Sequence, residues 1–367
     1  MTNDLILYGA GIHLAEAYVE FVKQGRTPVC VCDGDSSKHF TTISVSSPGA
    51  EKCGEIEILP LSTALEKYEN ADFFVVPKSS VKFEIMKTLE EAGVDNNRIL
   101  NHQPFAYERT CRYLNTTIHL SSGDNVECCC VYMLNVKAPG VPYSLDNETL
   151  LSTLKEMRSN LQRDMANGNE KEYCLGCPEI KMDYVPKTST TKLNISQIMF
   201  GAGTVCNIDC IYCYTKSTAN APWEERKSKI ERALDFVKYL QQQGEISDSA
   251  LAHLASGEIS ANPMASEIVP VFADIKCRFL TNGIIYSEAI EKVLRNGKSY
   301  VNISLDAGTK ETFGKVKGTD AENFDKALEN IRGYSQFANY IELKYIILPE
   351  KMTTLMILKV FWISRKK

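Results

Sequence analysis

An apolar run, Asn194 to Phe200, leads through the turn Gly201-Ala-Gly203 into Cys206-Asn-Ile-Asp-Cys210-Ile-Tyr-Cys213. The run reads as a buried strand, so three thiols are delivered to one tight loop at a strand's C-terminal end. Thiolate sulfur suits iron-sulfur clusters and zinc. A cubane held by only three cysteines keeps one iron without a protein ligand, which makes it a place for chemistry. The other readings of the same loop are a zinc knuckle and chance clustering.

Strands and helices alternate on both sides of that loop. Leu5-Ile-Leu-Tyr8 reads as a strand, His13 to Gln24 as an amphipathic helix and Pro28 to Cys32 as a second strand. A helix Leu61 to Tyr68, a strand Ala71 to Val76, a helix Val81 to Ala92 and a short strand Arg98 to Leu100 follow. Alternation of this kind implies a parallel sheet. Gly9 and Gly11 open the first helix, where backbone amides can approach a phosphate, and Asp33 ends the second strand about where an acid meets a ribose. The fingerprint is incomplete, because Leu14 stands at the third glycine position. Nucleotide binding and scaffolding both remain open for this part.

From Ile118 to Pro178 the pattern changes. Cys128, Cys129 and Cys130 are adjacent, a polar helix spans Asn147 to Met165, and Cys174 and Cys177 form a Cys-x-x-Cys pair. These two groups are candidates for a second metal site, a further Fe-S cluster or zinc. The alternative is a buried strand and a stray pair, since free cysteine packs as a small apolar residue. Which of the three adjacent cysteines would ligate stays open.

At the three-cysteine loop the chain resembles the radical S-adenosylmethionine (SAM) enzymes, whose signature is cysteines separated by three and then two residues with an aromatic before the last, here Tyr212. The resemblance spans roughly Leu193 to Glu350. It implies that Cys206, Cys210 and Cys213 hold a 4Fe-4S cluster whose open iron takes SAM, and that reduction yields a 5'-deoxyadenosyl radical. Further on, Ser256-Gly257-Glu258 stands where the family has Gly-Gly-Glu, an element that holds the SAM amino group. In Tyr300-Val-Asn302-Ile-Ser304-Leu-Asp306 the polar residues alternate onto one strand face. The resemblance turns that face into a barrel, with Ser304 and Asp306 binding SAM or substrate. It also implies an electron donor such as a flavodoxin or ferredoxin, and a small-molecule or peptide substrate. The cysteine groups at 128 to 130 and 174 to 177 are similar to the family's cysteine-rich accessory regions, although those regions usually follow the core.

The expected fold class is therefore α/β, an N-terminal Rossmann-like parallel sheet followed by a partial (β/α)6 barrel. The expected division is 1–110 as a Rossmann-like nucleotide-binding-like domain and 111–190 as a cysteine-containing linker or accessory segment, with 191–350 as the core and 351–367 as an atypical tail. Five strands can be counted from Asn194 onward, where the family has six. The tail Lys351 to Trp362 is apolar and uncapped. By the genetic code, with allowed third bases, the frame one base along could spell a polar stretch that starts like a capped helix, so the C-terminus is read as frameshifted or truncated.

A net charge of −5 leaves no basic stripe for nucleic acid, and no run reaches the ~18 apolar residues of a membrane span. The N-terminus lacks a signal-peptide layout, which makes the cytoplasm the expected location. Thirteen cysteines in such a chain point to metal ligands and reduced thiols more than to disulfides. The leading expectation is a radical SAM enzyme acting on an unidentified substrate. The alternatives are a nucleotide- or sugar-nucleotide-binding protein with a degenerate, inactive barrel, and a zinc-stabilised interaction protein.

Overall fold

The computed structural model describes residues 3–46, 52–77, 81–120, 123–127, 140–171, 174–187, 192–201, 203, 205–213, 222–255, 257–346 and 363–364. The chain divides into two compact units, Met1–Thr110 with Lys181–Ser189, and Cys111–Ile180 with Thr190–Lys367.

The first unit is built on β1 (Leu5–Tyr8), α1 (Leu14–Lys23), β2 (Cys30–Cys32), β3 (Thr41–Ser46), β4 (Lys52–Leu59), α2 (Leu61–Lys67), β5 (Asp72–Val75) and α3 (Val81–Glu91). The sheet order is β3-β4-β2-β1-β5. The pairings of β1 with β2, β1 with β5 and β2 with β4 are parallel, and β3 closes one edge as the antiparallel partner of β4. All four residues of β1 are buried, as a central parallel strand requires. The β3–β4 hairpin was not anticipated from the sequence. The strand expected at Arg98 to Leu100 is instead a single turn of 3-10 helix, Asn96–Arg98, with one isolated bridge between Phe73 and Ile99. The Asp95 side chain caps that turn by accepting from the Asn97 amide at 2.8 Å, which favours the turn over extension. A two-stranded sheet of β6 (Phe105–Cys111) and β10 (Ile180–Pro186) completes this part.

The second unit runs through α4 (Arg112–Thr116), β7 (Thr117–Leu120), β8 (Asn125–Glu127), β9 (Gly140–Pro142) and α5 (Asn147–Ala166). After β10 come β11 (Ile195–Gly201), α6 (Trp223–Gln242), β12 (Ile246–Ala255), α7 (Ala265–Val271), β13 (Lys276–Thr281), α8 (Glu288–Leu294), β14 (Tyr300–Ser304), α9 (Lys310–Lys317), α10 (Asn323–Ser335), β15 (Tyr340–Lys344) and β16 (Ile363–Ser364). The sheet order is β16-β15-β14-β13-β12-β11-β7-β8-β9. From β7 through β15 every neighbour pair is parallel. β8, β9 and β16 extend the ends antiparallel.

This sheet holds a sixth parallel strand, and it comes from upstream. β7 pairs with β11 in register Thr117↔Gln197 to Leu120↔Phe200. It is short, and no strand-helix alternation announces it, so it reads from sequence as the opening of the cysteine-bearing segment. α5 ties it down, because Arg158 donates to the Thr117 carbonyl at 2.5 Å, while Lys155 anchors the same helix to Glu245 ahead of β12 at 2.7 Å. The tail Lys351 to Trp362 lies outside the described residues.

The two faces of the sheet differ. Leu120, Phe200, Leu254, Phe279, Val301 and Ile341 form one register row, all buried in a single core with the inner stripes of α6 to α10. The opposite face carries His119, Met199, His253, Arg278, Asn302 and Glu342. Leu120→Ala removes a fully buried side chain from that row and is expected to cost about 2–5 kcal/mol of unfolding free energy in urea titrations. A loss below ~1 kcal/mol would place β7 outside the core.

Candidate active site

The loop 205–213 leaves the C-terminal end of β11 and is held from several sides within the second unit. The Val205 carbonyl accepts from the Glu258 amide at 2.6 Å. Asn207 Oδ1 accepts from Asn282 Nδ2 at 2.8 Å, and the Ile211 amide donates to the Val316 carbonyl near the end of α9 at 3.1 Å. Gly318 follows that helix in left-handed conformation, φ +57°. A Cβ there would lie 2.2 Å from the Asp209 carbonyl oxygen, so close approach of loop and helix end requires glycine.

Tyr212 is the loop's inner anchor. Its hydroxyl donates to Asp306 Oδ2 and accepts from Lys317 Nζ at 2.9 Å. Lys317 Nζ also reaches Asp306 Oδ2 at 2.6 Å, and this pair is out of water, with side chains 1 % and 0 % exposed. Asp306 Oδ1 accepts from the Ile346 amide at 2.7 Å. The alternation expected to run through Asp306 stops at Ser304, because Asp306 turns to φ +54°. An aspartate tolerates that conformation better than most residues. Its carboxylate is thus engaged by the protein itself, with Tyr212 and Lys317 on one oxygen. Ser304 stays half-buried at the strand end. Burial, then the Asp306 contact, pushes the Tyr212 hydroxyl pKa well up, so it remains a donor.

Glu258 is buried after Gly257, which has φ +77°. Oε1 accepts from Ser260 Oγ at 2.5 Å, the Ser260 amide at 3.1 Å and Thr281 Oγ1 at 2.7 Å, and Oε2 accepts from the Asn282 amide at 2.5 Å. Burial pushes its pKa up against these donors. Glu258 therefore joins the ends of β12 and β13, and one oxygen keeps a lone pair for an added donor.

Cys206 is exposed, and Cys210 and Cys213 are half-buried. Burial pushes the Cys206 and Cys210 thiols up, and Lys317 pulls Cys210 part of the way back. Three soft donors on one braced loop suit a thiolate-bound cluster. Among the described residues no three metal-ligating side chains converge on one point. That arrangement is compatible with a site that closes only around its metal.

The other candidates fall elsewhere. Cys128, Cys129 and Cys130 lie outside the described residues. Cys174 is buried in the hydrophobic core and Cys177 is half-buried. In the first unit the Gly9 amide donates to the Cys32 carbonyl at 2.7 Å, and the Asp33 carboxylate accepts from the Ala10 amide at 2.6 Å. Asp33 is also paired with Lys38 at 3.2 Å. The turn between Gly9 and Gly11 thus has its own anion already in place. Gly11 has open space around it.

Residues 202–349 match the model of the Radical SAM superfamily. Curated relatives include a "Probable GTP 3',8-cyclase" of Saccharolobus islandicus, 28% identical over 131 residues, 35% of this chain and 40% of the relative. A "GTP 3',8-cyclase" of Clostridium acetobutylicum is 27% identical over 170 residues, 45% of this chain and 48% of the relative. The chain thus spans less than half of the curated relatives it matches. Among solved structures, anSMEcpe with bound AdoMet and a peptide is 20% identical, with TM-score 0.30, covering 40% of this chain and 41% of that one. SuiB of Streptococcus suis bound to S-adenosylmethionine is 12% identical, with TM-score 0.33, covering 58% and 41%. At these values neither says anything about function.

Lys317 had no distinguishing mark in the sequence, and only the structure places it in the last turn of α9. Lys317→Met leaves Asp306 as an uncompensated buried charge, with an expected loss of about 3–5 kcal/mol in denaturant unfolding. Combining it with Asp306→Asn, which keeps the left-handed conformation accessible, should recover much of that loss. A single variant as stable as wild type would show the pair to be hydrated in solution.

Proposed function

We propose that this protein is a radical SAM enzyme that binds a 4Fe-4S cluster through Cys206, Cys210 and Cys213 and acts with S-adenosylmethionine on a small-molecule or peptide substrate. The observation that carries the reading is the three-cysteine loop, within the family match, braced by Glu258, Asn282, Val316 and the Asp306–Lys317 pair. When bound, the cluster would supply an electron to the SAM sulfonium and so start radical chemistry on the substrate.

This chain's own residues would do the positioning. Gly257 and Glu258 follow β12 beside the loop, where the carboxylate can accept from the SAM ammonium. Ser304, at the end of β14, offers a hydroxyl at the same sheet edge. Asp306 is committed to Tyr212, Lys317 and Ile346, which supports a positioning part in place of direct SAM contact. Lys317 places a fixed positive charge behind Cys210, where it would favour the thiolate. An external reductant such as a flavodoxin or ferredoxin completes the reading.

For the first unit, the hydrogen bond from Ala10 to Asp33 supports a structural turn over a phosphate cradle. A second metal at Cys174 and Cys177 draws no support from the buried, core-packed Cys174.

Anaerobically purified chain is expected to be brown, with about four irons and SAM-dependent changes in its reduced EPR spectrum. Replacing Cys206, Cys210 and Cys213 together by alanine should abolish both. Retention of iron and of the SAM effect in a folded triple variant would refute the assignment, and bound zinc with no colour would favour the zinc reading.

A further inference from the structure

Asn302 lies in the middle of β14, 1 % exposed, and neither its Oδ1 nor its Nδ2 has a hydrogen-bond partner in the structure. A buried amide without partners is costly, so such a group calls for an occupant. It stands on the sheet face away from the helices, four residues before Asp306. Its register neighbours are Leu280 on β13 and Glu342 on β15.

A second orphan lies beside it. Arg278 is opposite Tyr300 on β14, and its guanidinium reaches across that strand to Glu342 at 3.3 Å. The ion pair thus crosses β14 between Tyr300 and Asn302, while the Arg278 Nε remains buried and unpartnered. The pair is partly exposed, 29 % and 47 %, so exchange of either partner for a ligand group costs little. His253, opposite Arg278 on β12, continues the polar row. Burial and then the guanidinium hold its pKa down at about 4, so it adds no charge at neutral pH.

We propose that Asn302, with Arg278 and Glu342 beside it, forms a recognition site for a ligand that presents an adjacent hydrogen-bond donor and acceptor, as on a carboxamide, a lactam or a nucleobase edge. An asparagine amide pairs such an edge with two parallel bonds. Arg278 contributes donors, and Glu342 an acceptor, to the ligand's outer part. The site deepens the reading above and rests on it, because Asn302 lies two residues before Ser304 on β14, beneath the sheet edge there assigned to SAM.

The test is calorimetric titration of the full chain, purified anaerobically with its iron counted first. One arm uses adenosine and guanosine, the other glutamine and nicotinamide, which separates nucleobase from carboxamide sources. Saturable binding is expected in one arm, weakened roughly tenfold to hundredfold by Asn302→Leu and by Asn302→Ala. Because leucine fills the site without an orphaned amide, the Leu variant should melt no lower than wild type. No binding in either arm, unchanged binding in both variants, or a lower Tm for the Leu variant would overturn the site. An absent cluster would appear in the iron count alone and leave the titration readable.

Discussion

The ammonium of Lys317 and the carboxylate of Asp306 meet where neither touches water. Removing two charges from solvent is expensive, and the cost is offset only when each finds its partner at close range with the remaining lone pairs satisfied. Here they are satisfied by Tyr212 and by the Ile346 amide. The pair therefore ties together the end of α9, the end of β14 and the inner side chain of the cysteine loop. Displacing any one of the three leaves a buried charge or hydroxyl unpaired. The loop's position depends on this pair more than on its own hydrogen bonds, of which the Cys213 amide to Cys210 carbonyl contact at 3.1 Å is a local example.

Glu258 plays the matching part on the other side. Its oxygens gather the Ser260 hydroxyl and amide, the Thr281 hydroxyl and the Asn282 amide, while its own amide holds the Val205 carbonyl. Asn282 in turn holds Asn207. The C-terminal edges of three neighbouring strands, β11, β12 and β13, are thereby linked beyond their last paired residues. An edge braced in this way can present groups in fixed positions, the condition under which binding energy is used for orientation.

The two faces of the second unit's sheet follow from their surroundings. Where α6 to α10 pack, every strand offers apolar side chains, because a polar group there would lose its water without gaining a partner. On the other face Arg278, Glu342 and His119 stay partly open to solvent, and His119 is paired with Glu127 at 3.0 Å. Asn302 is buried on this polar face with both ends of its amide unpartnered, and that marks it out.

Much of this was legible in the chain itself. The strand-helix alternation comes from burial periodicity, a local property, so the elements from Ile195 to Lys344 fall within a few residues of where the pattern puts them, except α9, which the pattern did not give. The cysteine spacing and Tyr212 are local too, and they point to the superfamily before any coordinates. Other features depend on contacts between residues far apart in sequence. The parallel strand Thr117–Leu120 joins the sheet through β11, nearly eighty residues on, and four residues carry too little periodicity to announce it. Lys317 differs from other lysines only in lying next to Asp306 and Tyr212. Asp33 looks like a ribose ligand by position, yet its carboxylate holds Ala10. The sequence alone determined which segments become strands and helices, and where sulfur is placed. Only the tertiary structure decided which charges share a buried site and which amide is left unpaired, because desolvation and pairing act between groups that chain order does not bring together.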